Sequence, residues 1–402
     1  MKPSVTQKLP LRVAWLFPSL ARAFYWHPVL AELTKIYPEM VVFTGHWPGF
    51  AKHYEKSFTV KEIGKFKFLK IMRSSSGYDH GIIIPSLKIV PSILQFRPQV
   101  VMTVAFSLWT FIILFLKPWA QWKMVVFYEG DSPNIGGTQR GMRRFWRSLI
   151  ARYTDAFITN SQGGKRYLVK QLGVGEEKIF VKPCEVPDPS ISLWIKGEQP
   201  ALPILATGGR PVFLFIGQLI ERKGISYLLD ACRLLKHKGY SEWSLVIVGD
   251  GPSRAELENY TRSIGLENFV HWEGWIKNED LGSHFRFSDV FVFPTLEDTW
   301  GVAVLEAMFF EKPILCSKFA GASEMIKEGE NGFIFDPHRT ELLAELLKKF
   351  IEDPFLIKSM GRKSKQLIDP LTPEATAKHL AKIIELQIIN LKHRDSCVTL
   401  KE

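Results

Sequence analysis

Cysteine is scarce in this 402-residue chain: Cys184, Cys232, Cys316 and Cys397 are its four, and no two of them form a Cys-x-x-Cys pair. A disulfide framework and a thiolate metal finger are excluded on that count, and a reducing cytosol fits. Also missing are an Asp-x-Asp pair, an internal repeat and any low-complexity tract. No secretory leader is visible, because Met1–Pro10 is polar and Leu11–Phe17 is too short for its apolar core. Long uncharged runs are few. The nearest to a membrane span is Pro98–Leu116, between Arg97 and Lys117, and its length is close to the ~17–25 residues that a span needs. Its first part reads as a strand, Val100–Val104, and its second as a helix, Ser107–Leu116, so a buried strand-helix pair is expected instead.

What is present is a globular composition, 46% hydrophobic and 23% charged. That is too apolar for a disordered chain, and the length suits two domains of ~100–200 residues. The charge is unevenly placed. Residues 1–190 carry 26 Lys+Arg against 12 Asp+Glu, a net of +14, while the remainder carries 26 against 29, a net of −3. An excess confined to one half suggests that this half meets an anionic surface: a membrane, a phosphorylated lipid or a nucleic acid. A basic surface that serves only solubility is the other reading.

Apolar runs predict strands at Leu11–Phe17, Met40–Thr44, Val100–Val104, Met124–Tyr128, Ala156–Thr159 and Ile179–Lys182. Helical periodicity fits Pro28–Ile36, Ser107–Trp119, Arg140–Arg152 and Gly164–Leu172. This alternation argues for a parallel α/β sheet. A polar, Pro-rich stretch follows, and alternation restarts with strands at Val212–Ile216, Ser244–Val248, Val270–Trp272, Val290–Pro294, Pro313–Ser317 and Gly332–Phe335. Helices between them fit Gly224–Lys238, Arg254–Ile264, Asn278–Phe287, Val302–Phe310, Ala322–Lys327 and Thr340–Ile351. The expected domains are residues 1–185, a linker at 186–210, a second doubly wound unit at 211–372, and a closing helix at 373–395.

Three segments of the second unit carry chemistry. In Phe291–Met308, FVFPTLEDTWGVAVLEAM, a strand ends at Pro294 and a helix begins near Gly301. The backbone N–H groups of Gly301, Val302 and Ala303 would form an anion site there, and the absent side chain of Gly301 lets a phosphate approach. Glu306 could accept hydrogen bonds from ribose hydroxyls, and Asp298 could hold a sugar. A helix cap at Asp298 and a solvated Glu306 are the plainer alternatives. In Val212–Gly224, VFLFIGQLIERKG, Lys223 could set an ammonium against a diphosphate; Arg222-Lys223 is otherwise an exposed basic pair. In VIVGDGP, Gly249 opens half a dinucleotide fingerprint, but Arg254 stands where its third glycine belongs.

Together these segments resemble the donor half of a GT-B glycosyltransferase of the retaining family 4 type, strongly from Pro211 to Pro337 and only in architecture before Pro183. Asp298 and Glu306 match the family's Glu-x7-Glu motif, Lys223 in ERKG its phosphate-binding lysine, and Gly321 in AGASEMI its glycine turn. Phe269–Ile276 resembles the segment whose backbone meets the nucleobase. The likeness implies two Rossmann-like domains facing across a cleft, with the closing helix crossing back to the first. It implies a hexosyltransferase that draws on a UDP- or GDP-linked sugar, with Gly217, Gln218, Arg222, Lys223, Gly249, Ile276, Gly301, Val302, Ala303 and Glu306 around the donor. Two positions depart from the pattern: Asp298 replaces the first glutamate unless Glu297 substitutes, and Gln218 replaces an arginine. With no Asp-x-Asp chelate, no metal or cofactor is implied, and Lys223 with the helix start supplies the positive field.

The acceptor half is less legible. Where family members commonly carry a histidine, this chain has Glu129, Gly130 and Asp131; Glu129 or Asp131 could position an acceptor, or Asp131 could merely cap a turn. His27 and His46 follow the first two strands and read more readily as structural. Arg140, Arg143, Arg144 and Arg147 alternate with Phe145, Trp146, Leu149 and Ile150, and Lys65, Lys67 and Lys70 with Phe66, Phe68 and Leu69. Such patterns suit an anionic bilayer interface, though aromatics packed on a core beneath solvated arginines are the alternative. No nucleic-acid motif accompanies them. The expected partners are thus a nucleotide-sugar donor, a lipid-linked or oligosaccharide acceptor of a cell-surface glycan, and an anionic membrane surface, with the protein peripheral on its cytoplasmic face. An NDP-sugar 2-epimerase of the same fold and a non-catalytic sugar or lipid binder are the alternatives.

Overall fold

Strands with no polar face, such as VAWLF and VFLFI, can only sit where both sides are covered, and they become the inner strands of two parallel sheets. The computed structural model describes residues 11–20, 23–64, 67–72, 80–130, 141–188, 209–277 and 280–398. Asp131 and Arg140 lie outside the described residues.

The first sheet takes β1 (Val13–Phe17), β2 (Val41–Thr44) and β3 (Thr59–Glu62), then β6 (Val100–Val104), β7 (Lys123–Phe127), β8 (Ala156–Thr159) and β9 (Ile179–Val181), in the order β3-β2-β1-β6-β7-β8-β9. Helices α1 (His27–Ile36), α2 (Ile89–Phe96), α3 (Leu108–Ala120), α4 (Met142–Tyr153) and α5 (Gln162–Leu172) fill the crossovers. Two of them start on serines: Ser107 accepts from Thr110 N at 3.2 Å, and Ser161 from Gly164 N at 3.1 Å.

The second sheet takes β10 (Val212–Ile216), β11 (Ser244–Val248), β12 (Val270–Gly274), β13 (Val290–Phe293), β14 (Ile314–Ser317) and β15 (Gly332–Phe335), in the order β12-β11-β10-β13-β14-β15. Its helices are α6 (Ile225–His237), α7 (Arg254–Ser263), α8 (Leu281–Phe287), α9 (Val302–Phe309), α10 (Thr340–Glu352) and α11 (Phe355–Ile368). Every pairing in both sheets is parallel. Each strand order reverses at the first strand, next to β6 in one sheet and β13 in the other. Doubly wound sheets bind ligands at that reversal, beyond the carboxyl ends of the strands.

The last helix, α12 (Pro373–Val398), packs on α1 and touches β6 and β7. Ala377, Leu380, Ala381 and Ile384 enter the core of the first sheet, and Tyr37 Oη donates to Ala381 O at 3.2 Å.

Several expectations are corrected. Ala322–Lys327 is a short 3-10 turn, Gly321–Met325, and not an α-helix. Helices α2 and α11 were not expected. The Lys61–Arg73 stretch runs from the edge strand β3 into β4 (Lys67–Met72), which pairs antiparallel with β5 (His80–Ile84) outside the main sheets. Arg147 does not join an exposed basic row: its Nη1 donates to Tyr167 Oη at 2.6 Å, and its guanidinium lies 5.2 Å from the Phe106 ring centre. Among the described residues no helix is long and apolar enough to cross a membrane, and Pro98–Leu116 divides between buried β6 and α3.

Leu380→Ala tests the docking of α12. Truncating a fully buried leucine costs about 2–5 kcal/mol, and Leu380 is fully buried although it lies outside both sheets in sequence. The urea midpoint of the first domain should fall accordingly; an unchanged midpoint would show that the helix does not hold that domain.

Candidate active site

Where the carboxyl ends of the two sheets meet, a cavity of about 280 Å³ opens. From the second sheet it is lined by Gly217 at the end of β10, by Phe293 at the end of β13, and by Lys223, Asp298, Gly301, Val302, Ala303 and Glu306. The first domain contributes Tyr25, Glu129 after β7, and Glu185 after β9.

Lys223 ends a 3-10 turn, Glu221–Lys223, that brings its side chain back over the Phe293 ring, 5.0 Å from the centre. The ammonium pairs with Asp298 Oδ2 in a short contact, and both side chains are largely shielded from solvent. Arg222 Nη1 stands 3.7 Å from the same oxygen and donates to Glu297 O at 2.9 Å. Arg222 therefore braces the loop and does not line the cavity. Asp298 Oδ1 accepts from Trp300 N at 3.3 Å, closing a turn within its own loop. Asp298, not Glu297, faces the cavity.

Helix α9 begins at Gly301, whose φ of +103° puts it in a conformation that side chains resist; a Cβ there would also lie 2.9 Å from Phe293 Cε1. The helix has no side-chain cap and no acid in its first turn. Its first N–H groups therefore remain available to an anion at the cavity wall. One and a half turns on, Glu306 is half-buried against the cavity and not on a solvated face. Burial, with a smaller push from Asp188, raises its carboxyl to about 7.

The first domain sets two more carboxyls here. Burial and then the charge of Asp298 raise Glu129, against a weak bond donated by Thr299 Oγ1 at 3.5 Å. Burial, Glu129 and Asp298 in that order raise Glu185 well above the ordinary range. Burial first, and then Glu185, also raise the Tyr25 hydroxyl. The domains meet tightly at this point: Trp300 Nε1 donates to Glu185 O at 3.2 Å, and a Cβ on Gly130 would stand 2.8 Å from Thr299 O. Glu324 of the second domain accepts from Gln162 N at 2.7 Å and Gly163 N at 2.9 Å, capping α5 of the first.

Thus Lys223, Asp298, Glu306, Glu129, Gly217, Gly301, Val302 and Ala303 share one cavity, while Gln218, Arg222, Gly249 and Ile276 are not among its lining. Gln218 is exposed. Gly249 packs against the backbone of Gly217, so it shapes the wall from behind. Asp131 is outside the described residues. His27 is structural: it is fully buried, its Nδ1 accepts from Ala51 N at 3.0 Å, and burial lowers it to about 4. Sequence reasoning missed Tyr25, Glu185, Thr299 and Trp300. The signal for Glu185 was an acid held between Pro183 and Pro187 directly after the last strand of a sheet. Among the described residues, no three His, Cys, Asp or Glu side chains are arranged to hold a metal ion.

Residues 203–367 match the family model described as Glycosyl transferases group 1. Within the chain, a stretch of 158 residues is 28% identical to an alpha-D-kanosaminyltransferase of Streptomyces kanamyceticus, covering 39% of this chain and 41% of that protein. The match thus spans about two-fifths of the relative's length. Over almost the whole chain the fold is similar to that of HepE from Anabaena, solved with UDP, at a TM-score of 0.72 and 16% identity, covering 93% of this chain and 100% of that one. It is also similar to WaaG, a glycosyltransferase involved in lipopolysaccharide biosynthesis, at a TM-score of 0.66 and 16% identity, covering 92% and 99%. The architecture is the GT-B fold, and the match to group 1 glycosyl transferases lies within its second half.

The raised Glu306 gives a pH signature. A carboxyl near 7 in the folded protein and near 4.5 in the unfolded chain binds its proton more tightly when folded. Its contribution is therefore favourable to folding at low pH, and stability declines as pH rises from about 4.5 through about 7, by on the order of 3 kcal/mol in all. Glu306→Gln should flatten that decline and melt higher than the parent at pH 8. An equal pH dependence in both proteins would contradict the burial of this carboxylate.

Proposed function

We propose that this chain, with a group 1 glycosyl transferase domain at residues 203–367, is a retaining transferase that moves a hexose from a UDP- or GDP-linked donor to a lipid-linked or oligosaccharide acceptor. The observation that carries the reading is the convergence of Lys223, the open start of α9 and Glu306 on one cavity at the reversal of the second sheet. The diphosphate lies against the ammonium and the N–H groups of Gly301 to Ala303, and the ribose hydroxyls donate to Glu306. UDP in the HepE structure supports a nucleotide-sugar donor here.

In the reaction the bond from the anomeric carbon to the diphosphate oxygen breaks, and the electron pair leaves with the nucleoside diphosphate. Lys223 and the helix start stabilise that charge as it builds, which is the largest single contribution such a site makes. The acceptor hydroxyl attacks the oxocarbenium-like carbon from the same face and gives its proton to the departing phosphate. Asp298 holds the sugar ring. No metal takes part in this scheme, because fixed positive groups do the electrostatic work. The epimerase alternative has its carboxylates in Glu129, Glu185, Asp298 and Glu306, but no histidine is among the described lining residues.

The acceptor reaches the site from an anionic membrane surface that the first domain meets. Around α3 and α4, Phe115 is 63% exposed, Trp119 72% and Phe145 59%. Arg144 is exposed on the same helix as Phe145. Exposed aromatics beside arginine on the half that carries +14 suit insertion at the headgroup level. WaaG's lipopolysaccharide role supports a cell-surface glycan as the product.

Lys223→Ala should lower donor turnover about 100–1000-fold, with secondary structure unchanged by circular dichroism, and full activity should persist in EDTA. Near-normal turnover of the variant would remove Lys223 from the mechanism, and loss in EDTA restored by manganese would replace the metal-free scheme. Trp119→Ser with Phe145→Ser should weaken co-sedimentation with phosphatidylglycerol vesicles without changing donor hydrolysis. Undiminished sedimentation would place the membrane contact elsewhere.

A further inference from the structure

Glu185 is only 2% exposed, yet it lines the cavity. Asn160 Nδ2 donates to its Oε2 at 3.2 Å, and Asn160 Oδ1 is itself fixed by Cys184 N at 2.9 Å. Its other oxygen, Oε1, has no hydrogen-bond partner. A buried acceptor left unmatched is destabilising, and more so when charged. The Tyr25 hydroxyl relieves Glu185 in part but carries no positive charge. Glu129, Asp298 and Glu306 share the cavity, and Lys223, the one ammonium among the described lining residues, is paired with Asp298.

We infer that Glu185 and Glu129, with the Tyr25 hydroxyl beside them, form a subsite for an ammonium group, so that the sugar handled in this cleft is an amino sugar. The inference rests on the transferase reading and adds the class of sugar to it. A neutral hydroxyl would satisfy Oε1 with a single bond and bring no charge to favour the ionised carboxylates. An ammonium supplies three donors and a positive charge, enough to bridge Oε1 of Glu185 and the Glu129 carboxyl together. The subsite is built before any ligand arrives. Asn160 and the Trp300 indole hold Glu185 by side chain and backbone, and Thr299 reaches Glu129 across the domain boundary.

The amino sugar could belong to the donor or to the acceptor, and two assays separate these sources. In the first, hydrolysis of UDP-glucosamine is compared with that of UDP-glucose, and GDP-glucosamine with GDP-glucose. In the second, glucosamine and glucose compete as acceptors for the better donor. The expected result is a preference of about tenfold or more for the amino probe in one assay, falling to about equal use of the two probes in Glu185→Gln. The ratio is internal to each protein, so a general loss of fold or activity does not mimic the result. Turnover with no amino preference in the parent, or a preference that survives Glu185→Gln, overturns the subsite and leaves the transferase standing. No turnover of any nucleotide sugar overturns both.

Discussion

The organising constraint of this molecule is the management of negative charge at the seam between its two sheets. Carboxyl groups enter one cavity from both sides, Glu129 and Glu185 from the first domain and Asp298 and Glu306 from the second. Glu185 is buried and the other three are only partly exposed, and a desolvated carboxylate beside another is costly. The protein meets that cost in three ways. Lys223 neutralises Asp298, Asn160 and Thr299 donate to Glu185 and Glu129, and the remaining strain appears as raised proton affinity at Glu129, Glu185 and Glu306. None of this serves the fold, which its apolar cores already hold together. Strain kept at a cleft and supported from outside it is the pattern of a site prepared for ligand.

Much of the fold was legible because parallel sheets write themselves plainly. Val100–Val104, Ala156–Thr159, Val212–Ile216, Ser244–Val248 and Gly332–Phe335 appear where their uninterrupted apolar runs place them. What escaped were elements whose signal is weak or mixed. The edge strand β3, TVKE, is mostly exposed and reads as loop. Helix α2 carries a proline among its eight residues, and Gly321–Met325, expected as a helix from Ala322, is too short to build α-helical turns and stays a 3-10 turn. The second-domain side of the cavity was legible for the same reason as the sheet, since Lys223, Asp298, Gly301 and Glu306 follow strand ends in a continuous pattern. Glu185 and Tyr25 were not, because nothing local in VKPCEVPDP or FYWHP says that the chain reversal brings them to Asp298. Contact across a domain boundary leaves no period in either segment.

The helix read as a basic face shows a second limit. Spacing alone placed Arg144 and Arg147 together, but three residues along an α-helix is nearly one turn and not one environment. Arg144 is exposed, whereas Arg147 lies against Phe106 and bonds Tyr167. Aromatics divide in the same way: Trp109 is wholly buried on α3, while Phe115 and Trp119 of the same helix stand out. Burying one face while leaving aromatic rings on the other is not what a helix shaped only by its own core would do.

Charge also links the halves of the site. In the proposed reaction an incoming diphosphate would compete with Asp298 for the ammonium of Lys223, so binding of the donor phosphates would loosen the pair that holds Asp298 in place. Asp298 would then bear more heavily on Glu129 and Glu185, the two carboxyls whose proton affinities it already raises. A positive group arriving between them would answer the very charge that the diphosphate displaces. Donor and cation would thus each strengthen the site of the other, and by linkage the coupling is reciprocal. Asp298 stands at the centre of that exchange because it is the carboxylate that both domains feel.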